Sequence, residues 1–237
     1  MLLCRAAQGW TVFIRHFLSS AIGTFCRLNH CKGVSARCLH CPLRRVAPLW
    51  YNNSMHTSSA RTLANICLFQ AGWWGVVLGA ARGYAWLGVP IVAVIAVIHF
   101  LFISTQRRLD LLLALYAVLL GTIADTAAAV AGAITFHQSP WPPPLAPPFM
   151  LALWINFAFT LTTTLRWLQQ RYAAAALLGV LGGPLAYYSG ARLGALALAP
   201  RPLAAALAVI ALEWLAAMLL LLRLWNIHDN RLRRTIS

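Results

Sequence analysis

Acidic side chains are nearly missing from this sequence. Its 237 residues hold four of them, and the first, Asp110, comes almost halfway along the chain; Asp125, Glu213 and Asp229 follow. Charged residues of either sign make up 10%, against about 25% in a typical soluble domain. The net charge of +15 therefore reflects missing acids and scattered arginines, not a basic patch, and nucleic acid is not expected as a partner. Lysine occurs once, at Lys32; the other 18 basic residues are arginine, and the preference suggests GC-rich coding. Catalytic signatures are missing too. The chain has no G-x-x-x-x-G-K-[ST] for a nucleotide, no H-E-x-x-H for zinc and no G-x-S-x-G elbow for a nucleophilic serine. Past residue 54 a single cysteine, Cys67, remains, which argues against thiol redox chemistry. No cofactor and no metal is assigned.

Apolar residues are what the chain has: they make up 61%, in blocks as long as a bilayer is thick. A span needs about 20 mostly apolar residues. Such blocks run over about 63–81, 84–104, 111–135, 150–168, 172–196 and 203–225. None alternates with the period of two that a barrel strand requires, and helices are the other way to satisfy a backbone in lipid. The expected fold class is an all-α membrane protein, a bundle of six transmembrane helices. Between the third and fourth blocks lies Ser-Pro-Trp-Pro-Pro-Pro at 139–144, with Pro147 and Pro148 beyond it, a stiff extended connector.

The arginines orient the bundle. With the N-terminus inside, the inner side collects Arg61, Arg107, Arg108, Arg166, Arg171, Arg223, Arg231, Arg233 and Arg234; the outer side has Arg82, Arg192 and Arg201. Both termini are thus expected in the cytoplasm. Trp86, Trp141, Trp167 and Trp225 fall near the expected interfaces, as an aromatic belt would.

Residues 1–54 differ from the rest: five of the six cysteines, seven basic residues and no acid. Cys26, Cys31, Cys38 and Cys41, interleaved with His30 and His40, suggest zinc, but the spacing has one C-x2-C and lacks the second. An Arg-rich, acid-free stretch also resembles a targeting segment, although Arg15 and His16 interrupt its apolar part. A third reading is a start assigned too far upstream, with translation from Met55. On any of these readings 1–54 is expected to be a disordered or misassigned extension, and 55–237 the transmembrane domain.

Small residues mark helix contacts. The first block carries Ala71, Gly75 and Gly79 at four-residue spacing, and the short link Arg82-Gly83 makes blocks one and two a tight hairpin. The fifth carries Gly182, Ala186 and Gly190 at the same spacing. Gly182-Gly183-Pro184 lies within it, and the proline is expected to kink or loosen that helix.

Three runs carry a family resemblance. They are Asn65-Ile-Cys-Leu-Phe-Gln70-Ala-Gly-Trp73, continuing through Val77–Ala81 to Trp86-Leu-Gly88; Leu151-Ala-Leu-Trp154-Ile-Asn-Phe157-Ala-Phe-Thr160-Leu with Leu165-Arg-Trp167-Leu; and Leu178-Gly-Val-Leu-Gly-Gly-Pro184-Leu-Ala-Tyr187 with Gly190-Ala-Arg192-Leu-Gly194. Over about residues 62–225 the chain resembles the DUF2878 family. The resemblance implies a small bacterial multi-pass protein with no assigned reaction, placed in an inner membrane, and at most a setting near lipid modification.

Ionisable groups within a bilayer cost about 2.5–3.5 kcal/mol at mid-span, so those present need a reason. Asp125 and Glu213 qualify, each expected to be hydrogen-bonded or to face a water-filled cavity. In block four Asn156, Thr160, Thr163 and Thr164 share a helical face. Tyr187 and Tyr188 reach the depth of Asp125; Asn65, Gln70 and His99 lie toward the inner side, His99 being read as structural. The sharper expectation is an outward-facing polar pocket of Asp125, Asn156, Thr160, Tyr187 and Glu213 with Arg192 at its rim, taking a small polar or headgroup-bearing substrate. The plainer one is that the same groups bond helix to helix. The function expected first is a non-catalytic assembly or pathway partner in envelope or lipid physiology. A small transporter or lipid-handling permease comes next, then a cofactor-free enzyme acting on lipid. The lipid bilayer and other membrane proteins are the expected partners.

Overall fold

A computed structural model describes residues 47–137, 139–199 and 202–236. The chain divides into two units, Met1–His56 and Thr57–Ser237, and the account below concerns the second. Residues 1–46, with the zinc and targeting readings and most of the stretch expected to be disordered, lie outside the described residues; 47–54 open the first helix.

Helices dominate. α1 covers Ala47–Ala81, α2 Gly88–Ile98, α3 Arg107–Val130, α4 Pro148–Leu161, α5 Tyr172–Leu193 and α6 Leu203–Ile236. Four are long and apolar enough to cross a membrane, over Ser59–Ala81, Arg107–Val130, Tyr172–Leu193 and Leu203–Arg231. The apolar helices Gly88–Ile103 and Pro148–Leu161 are shorter. α3 shows how the elements are sided. Leu109, Leu113, Ala117, Gly121 and Asp125 are buried at four-residue spacing, while Leu111, Leu115, Leu119 and Ile123 are exposed, Ile123 to 68%. An apolar stripe on the outside and a carboxylate inside suit lipid as the surrounding solvent.

Several elements end earlier than the apolar blocks suggest, and the cause is local chemistry. α3 stops at Val130 rather than near 135. Gly132 takes φ +71, Ala133 N–H bonds the Ala128 carbonyl, and Ile134–Thr135 forms a short strand, β1. α5 stops at Leu193 rather than near 196 on the same device: Gly194 has φ +93, Ala195 N–H bonds the Gly190 carbonyl, and Ala197–Leu198 forms β2. A left-handed residue just past a helix satisfies its last carbonyls, and glycine adopts it without strain. β1 and β2 pair antiparallel, Ile134 with Leu198, tying two inter-helix loops at one end of the bundle. Trp141, from the proline-rich loop, lies edge-on to Trp86 at 5.7 Å, and its indole N–H bonds the Ala146 carbonyl at 3.0 Å.

α2 starts at Gly88, after a turn over Tyr84–Leu87, and ends in a π-helical turn, His99–Ile103. α4 has Pro148 at its first turn, where the missing N–H costs nothing, and gives way at Thr162, not near 168; a 3-10 turn, Arg166–Leu168, follows. α6 continues past 225 to Ile236. Trp225 is buried within it at 2% exposure, whereas Trp86 and Trp167 are exposed.

α4 is the hub. Eleven of its 14 residues are buried, against α2, α3 and, through hydrogen bonds, α1. α5 packs chiefly on α6, and α6 also meets α3. On α1, a methyl group on Gly75 would stand 3.2 Å from Ile91, and one on Gly79 3.0 Å from Leu87. On α5 the register differs. A methyl on Gly182 would meet little beyond Leu178 of its own helix at 3.9 Å, and one on Gly190 only Leu196 at 3.9 Å. The close approach is made one residue along. A methyl on Gly179 would lie 2.7 Å from the Trp214 carbonyl, and one on Gly183 would overlap the Trp214 ring. α5 runs without interruption through Pro184; the ring deletes one ladder bond but the helix is held on both sides by its packing on α6.

Candidate functional site: two buried carboxylates

Asp125 lies toward the C-terminal end of α3, on the face where Gly121 leaves room for a large neighbour; a methyl on Gly121 would overlap the ring of Trp154. That ring fills the gap from α4 and donates its indole N–H to Asp125 Oδ2 at 2.9 Å. From α5, the Tyr187 hydroxyl donates to Oδ1. Asp125 is 0% exposed. Trp154 in turn stacks on Trp214 of α6, centroids 4.7 Å apart and planes 20° from parallel, with Phe157 edge-on to Trp214 at 5.0 Å. One carboxylate and one aromatic stack thus join four helices.

The residues expected around a pocket divide. Asp125 and Tyr187 are bonded. Glu213, one residue before Trp214, is close enough to Asp125 for the two carboxyls to interact electrostatically, and its Oε2 is buried without a hydrogen-bond partner. Asn156 turns the other way: its amide donates to the Phe69 carbonyl of α1 at 2.9 Å, and its side chain packs where Gly72 has no Cβ. Thr160 donates to the Phe157 carbonyl of its own helix at 2.7 Å. Arg192 and Tyr188 are exposed.

A second carboxylate organises the opposite end. Asp110, in the first turn of α3, is 0% exposed. His99, from the π-helical turn, approaches Oδ2 through Nε2 at 3.2 Å. The Ser104 hydroxyl donates to the same oxygen and the Thr162 hydroxyl to Oδ1. The imidazole stacks on Phe159 with centroids 4.6 Å apart. Asn65 of α1 extends the cluster, donating to the Phe159 carbonyl at 3.1 Å and accepting from Thr164 at 2.7 Å. Nearby, α6 is tied to the segment after α4: Gln169 donates to Asp229 at 3.1 Å, and Asn226 to the Gln169 carbonyl at 2.9 Å.

The apolar block 111–135 leaves Asp110 just outside it, and Ser104, Thr162 and Trp154 are not among the residues expected around the pocket. A signal existed. Asp110, Leu113, Ala117, Gly121 and Asp125 fall on one face of α3, so a helix begun four residues earlier points both acids inward. Among the described residues no group of three or more His, Cys, Asp or Glu side chains is placed to hold a metal. What both centres can do is accept hydrogen bonds from several helices at once.

No curated protein and no solved structure matches the chain. A family model does, that of a protein of unknown function, over residues 62–220, which takes in α2 to α5 with the second half of α1 and the first half of α6; the chain belongs to the DUF2878 family.

Proposed function

We propose that the chain is a six-span protein of a bacterial inner membrane, with both termini cytoplasmic, serving as a non-catalytic assembly or pathway partner in envelope or lipid physiology. The observation that carries this reading is how the polar groups are used. Both oxygens of Asp125 accept bonds from neighbouring helices, and Asn156 donates to a backbone carbonyl of α1. Groups engaged in this way fix helices rather than hold a substrate.

The six-span count rests on the two shorter helices crossing as well. Pro148–Leu161 would reach about 21 Å at 1.5 Å per residue, short of a bilayer core, but its neighbours enclose it, so its ends need not meet lipid. The excess of arginine on one side supports the orientation.

A small permease is the second reading, and Glu213 is what favours it: a half-buried carboxyl beside Asp125 with one oxygen unpartnered. The two readings part in a deletion strain. Lipid and metabolite profiles of deletion and parent strains define the defect, and the double variant Asp125→Asn, Glu213→Gln is then supplied at normal level. Restoration is expected. A folded variant that leaves the defect in place overturns the partner reading in favour of the permease. Fusion of a cytoplasm-dependent fluorescent protein after Ser237 is expected to fluoresce.

A further inference from the structure

The segment joining α4 to α5 is short, basic and firmly held. It is a run of tight turns: Leu165 N–H bonds the Thr160 carbonyl, Leu168 N–H the Leu165 carbonyl and Arg171 N–H the Leu168 carbonyl, each at 2.8 Å. Leu165 and Leu168 are buried and anchor the turns, while Arg166, Trp167, Gln170, Arg171 and Tyr172 are exposed. Asn226 of α6 fastens the segment to the bundle, donating to the Gln169 carbonyl at 2.9 Å and to the Tyr172 hydroxyl at 2.8 Å.

Two guanidiniums lie on this surface without a carboxylate to balance them. The chain has four acidic residues, and all have other surroundings. Asp110 and Asp125 are fully enclosed, Glu213 lies near Asp125, and Asp229 accepts from Gln169. Among the described residues none of the four pairs with Arg166 or Arg171. Arg171 instead lies over the ring of Trp167, 5.9 Å from its centroid. The ring attracts the charge but accepts no conventional hydrogen bond, so the N–H donors remain for a second partner.

The neighbouring surface indicates which anion that partner carries. Trp167 and Tyr172 have the amphipathic rings that settle at headgroup depth. Along α5, Leu177, Leu181 and Leu185 are exposed at four-residue spacing, an apolar stripe leading away from the arginines. A free phosphate would use the guanidiniums alone. A phospholipid matches all three features, with its phosphate, its glycerol region and its acyl chains in that order. Arg107 and Arg108, in the first turn of α3, are exposed as well, but no tryptophan or tyrosine adjoins them in the chain.

We propose that Arg166 and Arg171 bind the phosphate of an anionic phospholipid, with Trp167 and Tyr172 against its glycerol region and its acyl chains along Leu177 and Leu181. Anionic headgroups are preferred because the ammonium of a zwitterionic headgroup offsets the phosphate charge that the two guanidiniums balance. The site is separate from both carboxylate centres and does not depend on the function proposed above.

The test is native mass spectrometry of the full chain released from detergent micelles, with phosphatidylglycerol or phosphatidylcholine of the same acyl chains added. Phosphatidylglycerol is expected to bind about tenfold more tightly. That preference is expected to vanish in the double variant Arg166→Gln, Arg171→Gln and to persist in Arg107→Gln, Arg108→Gln, which removes the same charge from α3. A preference that survives the loss of Arg166 and Arg171 overturns the proposal. So does an equal loss in both double variants, since general surface charge then accounts for it. Trp167→Ala is expected to weaken phosphatidylglycerol binding about threefold with the charge unchanged. Inorganic phosphate at millimolar concentration is expected to leave the lipid bound; displacement by phosphate alone overturns the choice of a lipid over a free anion. The replaced arginines are exposed, so the variants are expected to melt as the parent does. Where a double variant melts early, its two single variants are compared instead.

Discussion

The two carboxylates of α3 are the same residue type on the same helix face, equally buried, about four turns apart, and they are surrounded by different chemistry. Asp110 receives an imidazole and two hydroxyls, from α2, the corner after it and the end of α4. Asp125 receives an indole and a phenol, from α4 and α5, within an aromatic stack that reaches α6. Asp110 gathers the first helices and Asp125 the last. α3 and α4 are common to both, so this helix pair is the spine to which the other helices attach through separate polar centres. The surroundings also set what each acid is suited for. Small flexible donors around Asp110 leave a nitrogen over; rigid aromatic donors around Asp125 fix geometry.

Truncation should separate the centres most strongly. Asp110→Ala takes a partner from three side chains and Asp125→Ala from two; at about 1–3 kcal/mol per buried orphan, Asp110→Ala is expected to cost more unfolding free energy, measured in mixed micelles. The reverse order would break the comparison. Next in size is the α5–α6 contact that supports the aromatic centre. Gly183→Ala pushes a methyl into Trp214 and is expected to cost about 1–3 kcal/mol, while Gly182→Ala, with room around it, is expected to be close to neutral in the same assay. Equal costs would return the contact to the register first read. The smallest effect belongs to Tyr187→Phe, which removes one donor from Asp125 and leaves the ring; about 0.6 kcal/mol is expected, with little change in the fluorescence of the Trp154–Trp214 stack.

The apolar blocks were legible because lipid demands long uninterrupted runs, and four of them became helices of spanning length. Their ends were harder to read, because they depend on backbone geometry that hydropathy does not record. Gly132 and Gly194 look ordinary in sequence, yet each stops a helix and starts a strand. Thr163 and Thr164 join the face of Asn156 and Thr160 only if the helix persists, and it ends at Leu161. Thr162 and Thr164 are thereby freed to reach Asp110 and Asn65. Of the pocket residues, Asp125 and Tyr187 come into contact and Glu213 lies near. Asn156 and Arg192 do not join them, since depth along a helix can be counted from sequence but direction depends on where neighbouring helices leave space.

The β1–β2 ribbon has a consequence for biogenesis. Ile134 finds its partner at Leu198, so the ribbon cannot close while the chain is threading. α4 and α5 lie between the two strands in the chain, so both must be made, and both connecting loops brought to one end of the bundle, before the strands can meet. Closing it is a late step in assembly, and it fastens a bundle whose helices are already in place.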